Sequence, residues 1–344
     1  MAKNLNLHPP VTIPIAFVHG MMSGVKGHQV LGDTCLADAG IARELLLQPA
    51  ARVTSDQYVT LFRLLIERLD DDALGLLSRP FKRGSFALVA RSAIGATTLE
   101  VAMRRIAHTF RLLQDDVVLE SLRDGAATGL GLRFTNASGV QPPFLHEMLL
   151  RVFWRLLAWL AGGHLHATRF DFAFEQPSYA GRYGKVFPAP LNFGQRRSAV
   201  WFDLDRLKDP VRRDEAALRT FLADAQTHVV VPRRGDHEVS MRVRSHLQNT
   251  QPAWPDLGAT AEALHLTTAT LQRRLAGEGT SFQALKDDLR RDMAIVRLST
   301  SAVSLGELAY DMGFADSATF QRAFKAWTGS APGSYRAGAP SDST

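Results

Sequence analysis

Residues 304–329, SLGELAYDMGFADSATFQRAFKAWTG, carry two amphipathic patterns separated by a glycine. Leu305, Leu308 and Ala309 recur at the spacing of one helix face, Gly313 can take the positive φ of a tight turn, and Asp316 is placed to cap a second helix. In the second pattern Phe320, Phe324 and Trp327 stand at 0, +4 and +7, a stripe that must be buried. Ser317, Ala318, Gln321 and Arg322 are then left facing outward over the first two turns. Two short helices joined by a tight turn form a helix-turn-helix unit, whose second helix enters the major groove. Gln and Arg suit that position, because they pair with adenine and guanine through two hydrogen bonds each.

Residues 257–279, LGATAEALHLTTATLQRRLAGEG, repeat the scheme. A helix ending near Leu264 is followed by a turn, and Thr267 caps a second helix whose Leu271 and Leu275 face inward. Thr268, Ala269, Gln272 and Arg273 face outward, so the same Gln-Arg pair recurs in both units. Arg274, one step round, suits a phosphate contact or a structural role. Between the units runs a predicted helix over 281–299, with Phe282, Leu285, Leu289, Met293 and Val296 on one side. At ~1.5 Å per residue it is long enough to hold two recognition helices about one DNA turn apart. With further predicted helices at 236–247, 305–312 and 317–327, the segment 236–336 reads as an all-α domain followed by a tail, 337–344.

The whole chain has 344 residues, long enough for two domains, and its 46% hydrophobic and 22% charged residues describe a folded protein. No apolar run approaches the ~20 residues that span a bilayer, and the first twenty residues lack a long secretory apolar stretch. A cytoplasmic protein without a membrane partner is expected. The only cysteine, Cys35, excludes an internal disulfide and a zinc site of several thiolates. The net charge is +6, but the basic excess lies in residues 1–235, and residues 236–344 carry one more acid than base. The case for DNA therefore rests on where individual arginines sit, not on bulk charge.

Residues 1–232 read as mixed α/β. Helices are expected at 33–48, at 55–68 with Ser55 as N-cap, at 98–113 with Thr98 as N-cap, and at 144–160; strands are expected at 116–122, 128–135, 167–174 and 199–202. Pro232 and Gly235 break the pattern, which puts a linker at 233–235. The fold class expected is an α+β N-terminal sensor domain followed by the all-α domain with two helix-turn-helix units joined by a linker helix.

Residues 236–336 resemble the DNA-binding domain of the AraC/XylS family of bacterial regulators. GELAYDMGFADSATFQRAFKAWTGSAPGSYR (306–336) carries that family's signature, with Gly313-Phe314, Phe320, Arg322, Phe324, Gly329, Pro332, Tyr335 and Arg336 in order, and TLQRRLAGEGTSFQAL (270–285) matches the first unit. Ala269 departs from relatives that place a large side chain there. The front part is similar to the arabinose-binding-like domain of a subgroup that includes regulators of ornithine metabolism and virulence. The matching stretches are ARVTSDQYVTLFRLL, RPFKRGSFALVARSAIGATTLEVAMRRIAHTFRLL and RFDFAFEQPSYAGRYGKVFPAPLNFGQRRSAVWFD. The resemblance implies promoter DNA and RNA polymerase as partners, activation, an effector-sensing domain for a small molecule, a homodimer, and no cofactor. It does not make arabinose the ligand.

Other chemistry finds little support. No nucleophile elbow or P-loop occurs, His146-Glu147 lacks a second histidine four residues on, and Gly129-Leu-Gly131 lacks the later glycine of a dinucleotide loop. His164 and His166 have no third ligand in view, and Cys35 has no neighbouring cysteine for alkyl-transfer chemistry. Lys82-Arg83-Gly84-Ser85 could meet an anion, and Phe170, Phe172, Phe174, Phe187, Phe193 and Trp201 form either core or an apolar pocket. The helical domain could alternatively bind a protein in place of DNA.

Overall fold

The computed structural model describes residues 10–135, 141–230 and 239–336. The chain forms two compact units. One comprises Ala16–Cys35 and Val59–Pro232; the other gathers the described residues of Met1–Ile15, Leu36–Tyr58 and Arg233–Thr344. Two described N-terminal segments, 10–15 and 36–58, cluster with the helix-turn-helix region. The expected linker 233–235 and tail 337–344 lie outside the described residues.

In chain order the regular elements are β1 (Thr12–Pro14), α1 (Ile15–Met22), α2 (Gln29–Asp38), β2 (Arg52–Thr54), α3 (Ser55–Leu69), α4 (Ser85–Ala93), α5 (Leu99–Leu113), β3 (Val117–Asp124), β4 (Ala127–Phe134), α6 (Pro143–Leu160), β5 (Arg169–Asp171), β6 (Leu191–Asn192) and β7 (Ser198–Asp203). The remaining elements are helices: α7 (Leu204–Leu207), α8 (Glu215–Ala223), α9 (Ala225–Val230), α10 (Val239–Asn249), α11 (Leu257–Ala263), α12 (Thr268–Gly277), α13 (Phe282–Thr300), α14 (Leu305–Asp311) and α15 (Ser317–Thr328). The predicted helix over 33–48 is broken: α2 ends at Asp38, Gly40 turns the chain at φ 67°, and a 3-10 turn covers Arg43–Leu47. The cap of α3 is Thr54, not Ser55. Its hydroxyl accepts the Gln57 N–H at 3.1 Å while Gln57 Oε1 accepts the Thr54 N–H at 2.9 Å, a reciprocal capping box. Thr98 caps α5 as expected, accepting the Val101 N–H.

The larger unit holds a five-stranded sheet in the order β3-β4-β7-β5-β6, antiparallel except for the β5-β6 pair. Gly129 stands opposite Trp201, and a Cβ there would lie 2.9 Å from the indole. This glycine makes room for a ring in the sheet. The expected strand 167–174 is paired only over Arg169–Asp171. Phe170, Phe172, Phe174, Phe187 and Trp201 are buried, and Phe172 stacks on Phe193 at 5.3 Å. The aromatic set is core.

In the other unit each helix-turn-helix turn closes in the same way. Leu266 N–H reaches the Ala261 carbonyl and Phe314 N–H the Ala309 carbonyl, both at 2.9 Å, a 6→1 bond around a residue of positive φ. That residue is Gly313 (φ 73°) in the second unit and His265 (φ 57°) in the first. A side chain in this region costs roughly 1–2 kcal/mol, and His265 is exposed. We expect His265→Gly to stabilise the unit by about 1 kcal/mol after the glycine's greater loss of chain entropy is deducted. A thermal melt of the full chain checks this, and His265→Ala should give no such gain.

Candidate nucleic-acid interface

The first helix-turn-helix unit is built on one apolar cluster: Val239, Val243 and Leu247 from α10, Ala261 from α11, Leu271 and Leu275 from α12, and Leu285 and Leu289 from α13. Burying Leu271 and Leu275 turns the opposite face of α12 to solvent, where Thr268, Ala269, Gln272 and Arg273 are all exposed. Thr267 caps α12, accepting the Thr270 N–H at 3.2 Å. In the second unit Phe320 and Phe324 are fully buried, whereas Trp327 is half-buried and Thr328 completes the buried stripe. Ala318 and Arg322 are exposed; Ser317 and Gln321 are half-buried. Asp316 caps α15 through the Thr319 N–H at 2.7 Å, which holds its carboxyl below the usual range. Arg322 Nη2 donates to Thr319 Oγ1 at 3.2 Å, so this guanidinium leans toward the N-terminal end of α15.

Two features hold the units together, and sequence reasoning missed both. The first is a cation sandwich. The Arg290 guanidinium of α13 lies 4.8 Å from the Trp254 ring and 5.1 Å from the Phe314 ring. Trp254 Nε1 donates to the Asp311 carbonyl of α14 at 2.8 Å, and Lys286 Nζ to the Trp254 carbonyl at 3.0 Å. A Cβ on Gly313 would lie 2.5 Å from Trp254, so glycine is needed there for close approach as well as for φ. The second is Asp292, 1% exposed on α13. The linker helix is consequently not one-sided as expected: Asp292, Ala294, Ile295 and Leu298 are buried, whereas Phe282, Met293 and Val296 are only half-buried. A carboxylate seven residues after Leu285 on an apolar stripe was the visible signal.

These elements define a DNA-binding transcription regulator, with the second helix of each helix-turn-helix unit turned to solvent. Residues 32–211 match the arabinose-binding domain of AraC transcription regulator, N-terminal, and residues 260–338 match a helix-turn-helix domain. The chain belongs to the AraC family of transcription regulators. It is 26% identical to the ornithine utilization regulator of Pseudomonas aeruginosa over 326 residues, covering 94% of this chain and 96% of that protein. It is also 36% identical to the urease operon transcriptional activator of Escherichia coli over 89 residues, covering 26% and 30% respectively. A crystal structure of the regulator CdpR from Pseudomonas aeruginosa is similar at 21% identity and TM-score 0.32, covering 81% of this chain and 85% of that one. The relatives and both matching domains are those of transcription regulators. Among the described residues no helix is long and apolar enough to cross a membrane.

The other sequence candidates find structural places. His164 and His166 are exposed in the segment after α6, and among the described residues no three His, Cys, Asp or Glu side chains are grouped to hold a metal ion. Cys35 is fully buried. At the Lys82–Ser85 turn, Asp72 itself accepts the Phe86 N–H at the start of α4, so a carboxylate of the chain already occupies that position.

Within the sensor-like unit, α6 buries two adjacent titratable groups. Glu147 accepts hydrogen bonds from the hydroxyls of Tyr183 and, at 3.1 Å, Tyr179, and burial pushes its pKa up from 4.5 to about 7. His146 Nδ1 pairs with Ser198 Oγ at 2.7 Å, and burial pushes its pKa down from 6.5 to about 4. Between pH 4.5 and 6.5 the folded chain holds the Glu147 proton that the unfolded chain has lost, while the unfolded chain binds a His146 proton that the folded one refuses. The two slopes oppose each other, so the contributions of this pair cancel in this window. We expect Glu147→Gln to leave only the histidine, so that stability is lost as pH falls from 6.5 toward 4. His146→Gln should leave only the glutamate, so that stability is lost as pH rises from 4.5 toward 7. Urea midpoints measured across this range of pH check both signs.

Proposed function

We propose that this chain is an effector-responsive transcription activator that reads two successive major-groove segments with α12 and α15. The observation that carries this reading is the repeat itself. Two helix-turn-helix turns close with the same hydrogen bond, and each presents a Gln-Arg pair over the first turns of its second helix. The base-reading set is Thr268, Ala269, Gln272 and Arg273 on α12, with Ser317, Ala318, Gln321 and Arg322 on α15. Arg and Gln supply paired donors and acceptors for guanine and adenine.

The arabinose-binding-like domain supports a small-molecule effector, and the relative named as an ornithine utilization regulator supports a regulatory role. A relative named as a transcriptional activator supports activation, and RNA polymerase is the partner this reading assigns. The front domain is also assigned dimerisation as a homodimer. The effector acts by binding one arrangement of the regulator more tightly than another, which shifts the population competent for DNA.

Selection from a random duplex pool with the full-length protein should enrich a bipartite site. Arg273→Ala and Arg322→Ala should each cost about 1–3 kcal/mol and relax base preference in one half only. Phosphate contacts predict a fall in affinity between two salt concentrations for every variant. If no site is enriched, or neither arginine changes preference, base reading by these helices is wrong.

A further inference from the structure

A long-range hairpin, whose strands β1 and β2 are separated in sequence by α1 and α2, supplies polar partners deep inside the DNA-binding unit. Strands β1 and β2 pair antiparallel, with Thr12 opposite Thr54 and Pro14 opposite Arg52. Thr12 Oγ1 donates to Asp292 Oδ1 at 2.6 Å and accepts from Arg52 Nε at 2.6 Å, while Arg52 Nη2 donates to the Thr12 carbonyl. Thr12 is 2% and Arg52 8% exposed. Asp292 is shared: Arg291 donates to it at 3.0 Å, and the Arg244 guanidinium of α10 lies 3.9 Å away while reaching Asp288 at 3.1 Å. Arg244 belongs to the helix that supplies Val243 and Leu247 to the first unit's core.

The same hairpin reaches the second unit. The Arg52 N–H donates to the Tyr335 hydroxyl at 3.3 Å, and the Tyr335 ring stands edge-on to Phe324 of α15 at 5.2 Å. A Cβ on Gly329, the C-cap of α15, would lie 3.2 Å from Gln48 Oε1 and 3.8 Å from Ala50 Cβ. The segment leading into β2 thus lies against the end of the second recognition helix. One hairpin touches the linker helix where it carries its buried carboxylate, and touches the aromatic support of α15.

We propose that Thr12 and Arg52 are positioning residues for DNA recognition: the hairpin clamps α13 and Tyr335 together and so fixes the spacing at which α12 and α15 meet successive major-groove segments. This rests on the two-helix reading proposed above. The buried carboxylate needs its hydrogen-bond partners to stay charged, and the Thr12 hydroxyl links that requirement to the hairpin. A clamp of this kind acts on register. One base pair inserted between the half-sites rotates the second by about 34° and moves it about 3.4 Å, so a rigid reader rejects the insertion and a loosened one accepts it.

The test uses the full-length chain and the duplex selected by the wild type, with zero, one or two base pairs inserted between its halves. Wild type should lose at least about tenfold in affinity per inserted pair. Thr12→Val, which keeps the side chain's shape and removes only the hydroxyl, should reduce that loss to less than about threefold and weaken binding at native spacing. Thr12→Ser should restore wild-type discrimination, and Arg52→Met should behave as Thr12→Val. Unchanged spacing discrimination in folded Thr12→Val overturns the proposal, as does a uniform affinity loss at every spacing. The arginine variants at positions 273 and 322, run beside them, separate the two claims. If they still relax base preference while the hairpin variants do nothing, only the clamp fails; if they have no effect, the two-helix reading and the clamp fail together.

Discussion

Asp292 is a carboxylate with almost no access to water, placed on the one helix that both helix-turn-helix units share. An isolated charge there would cost several kcal/mol, so the surroundings are organised to satisfy it. Arg291 comes from the preceding residue, Arg244 from α10, and Thr12 and Arg52 from the far end of the chain. The described segments 10–15 and 36–58 cluster with the DNA-binding unit and bring Thr12 and Arg52 to the carboxylate.

The apolar packing explains why the linker helix had to be two-sided. Its first half closes the cluster of Val243, Leu247, Leu271 and Leu275 through Leu285 and Leu289. Its second half buries Ile295 and Leu298. A helix turns about 100° per residue, and a single stripe cannot face two cores on different sides. The buried face therefore rotates along α13, and Arg290 emerges between Trp254 and Phe314, where its cation lies against two rings in place of water. Burial lowers its pKa, yet an arginine stays charged.

The two turns show how one geometry is reached from different residues. Gly313 takes a left-handed conformation without strain and leaves room for Trp254. His265 takes nearly the same φ with a side chain, and is tolerated because the side chain is exposed and the flanking hydrogen bonds to Glu262 and Ala261 fix the turn. The glycine of the second unit was readable in the sequence. The histidine of the first was not, because only a small fraction of histidines take a positive φ even though the residue is enriched there.

The sequence by itself determined whatever depends on neighbours within a few turns of chain. Helices α12 and α15, their caps Thr267 and Asp316, the inward Leu271, Leu275, Phe320 and Phe324, and the exposed Arg273 and Arg322 all come from helical periodicity and cap chemistry. Only the tertiary structure decided which distant segments complete the unit. Strands of three residues carry too little periodic signal to be seen alone. The partner of Thr12 lies 280 positions away, a pairing made by burial and charge and not by sequence proximity. The same holds for Trp254 and Asp311, 57 residues apart. Local patterns specify α12 and α15, while long-range satisfaction of buried polar groups contributes to how they are joined.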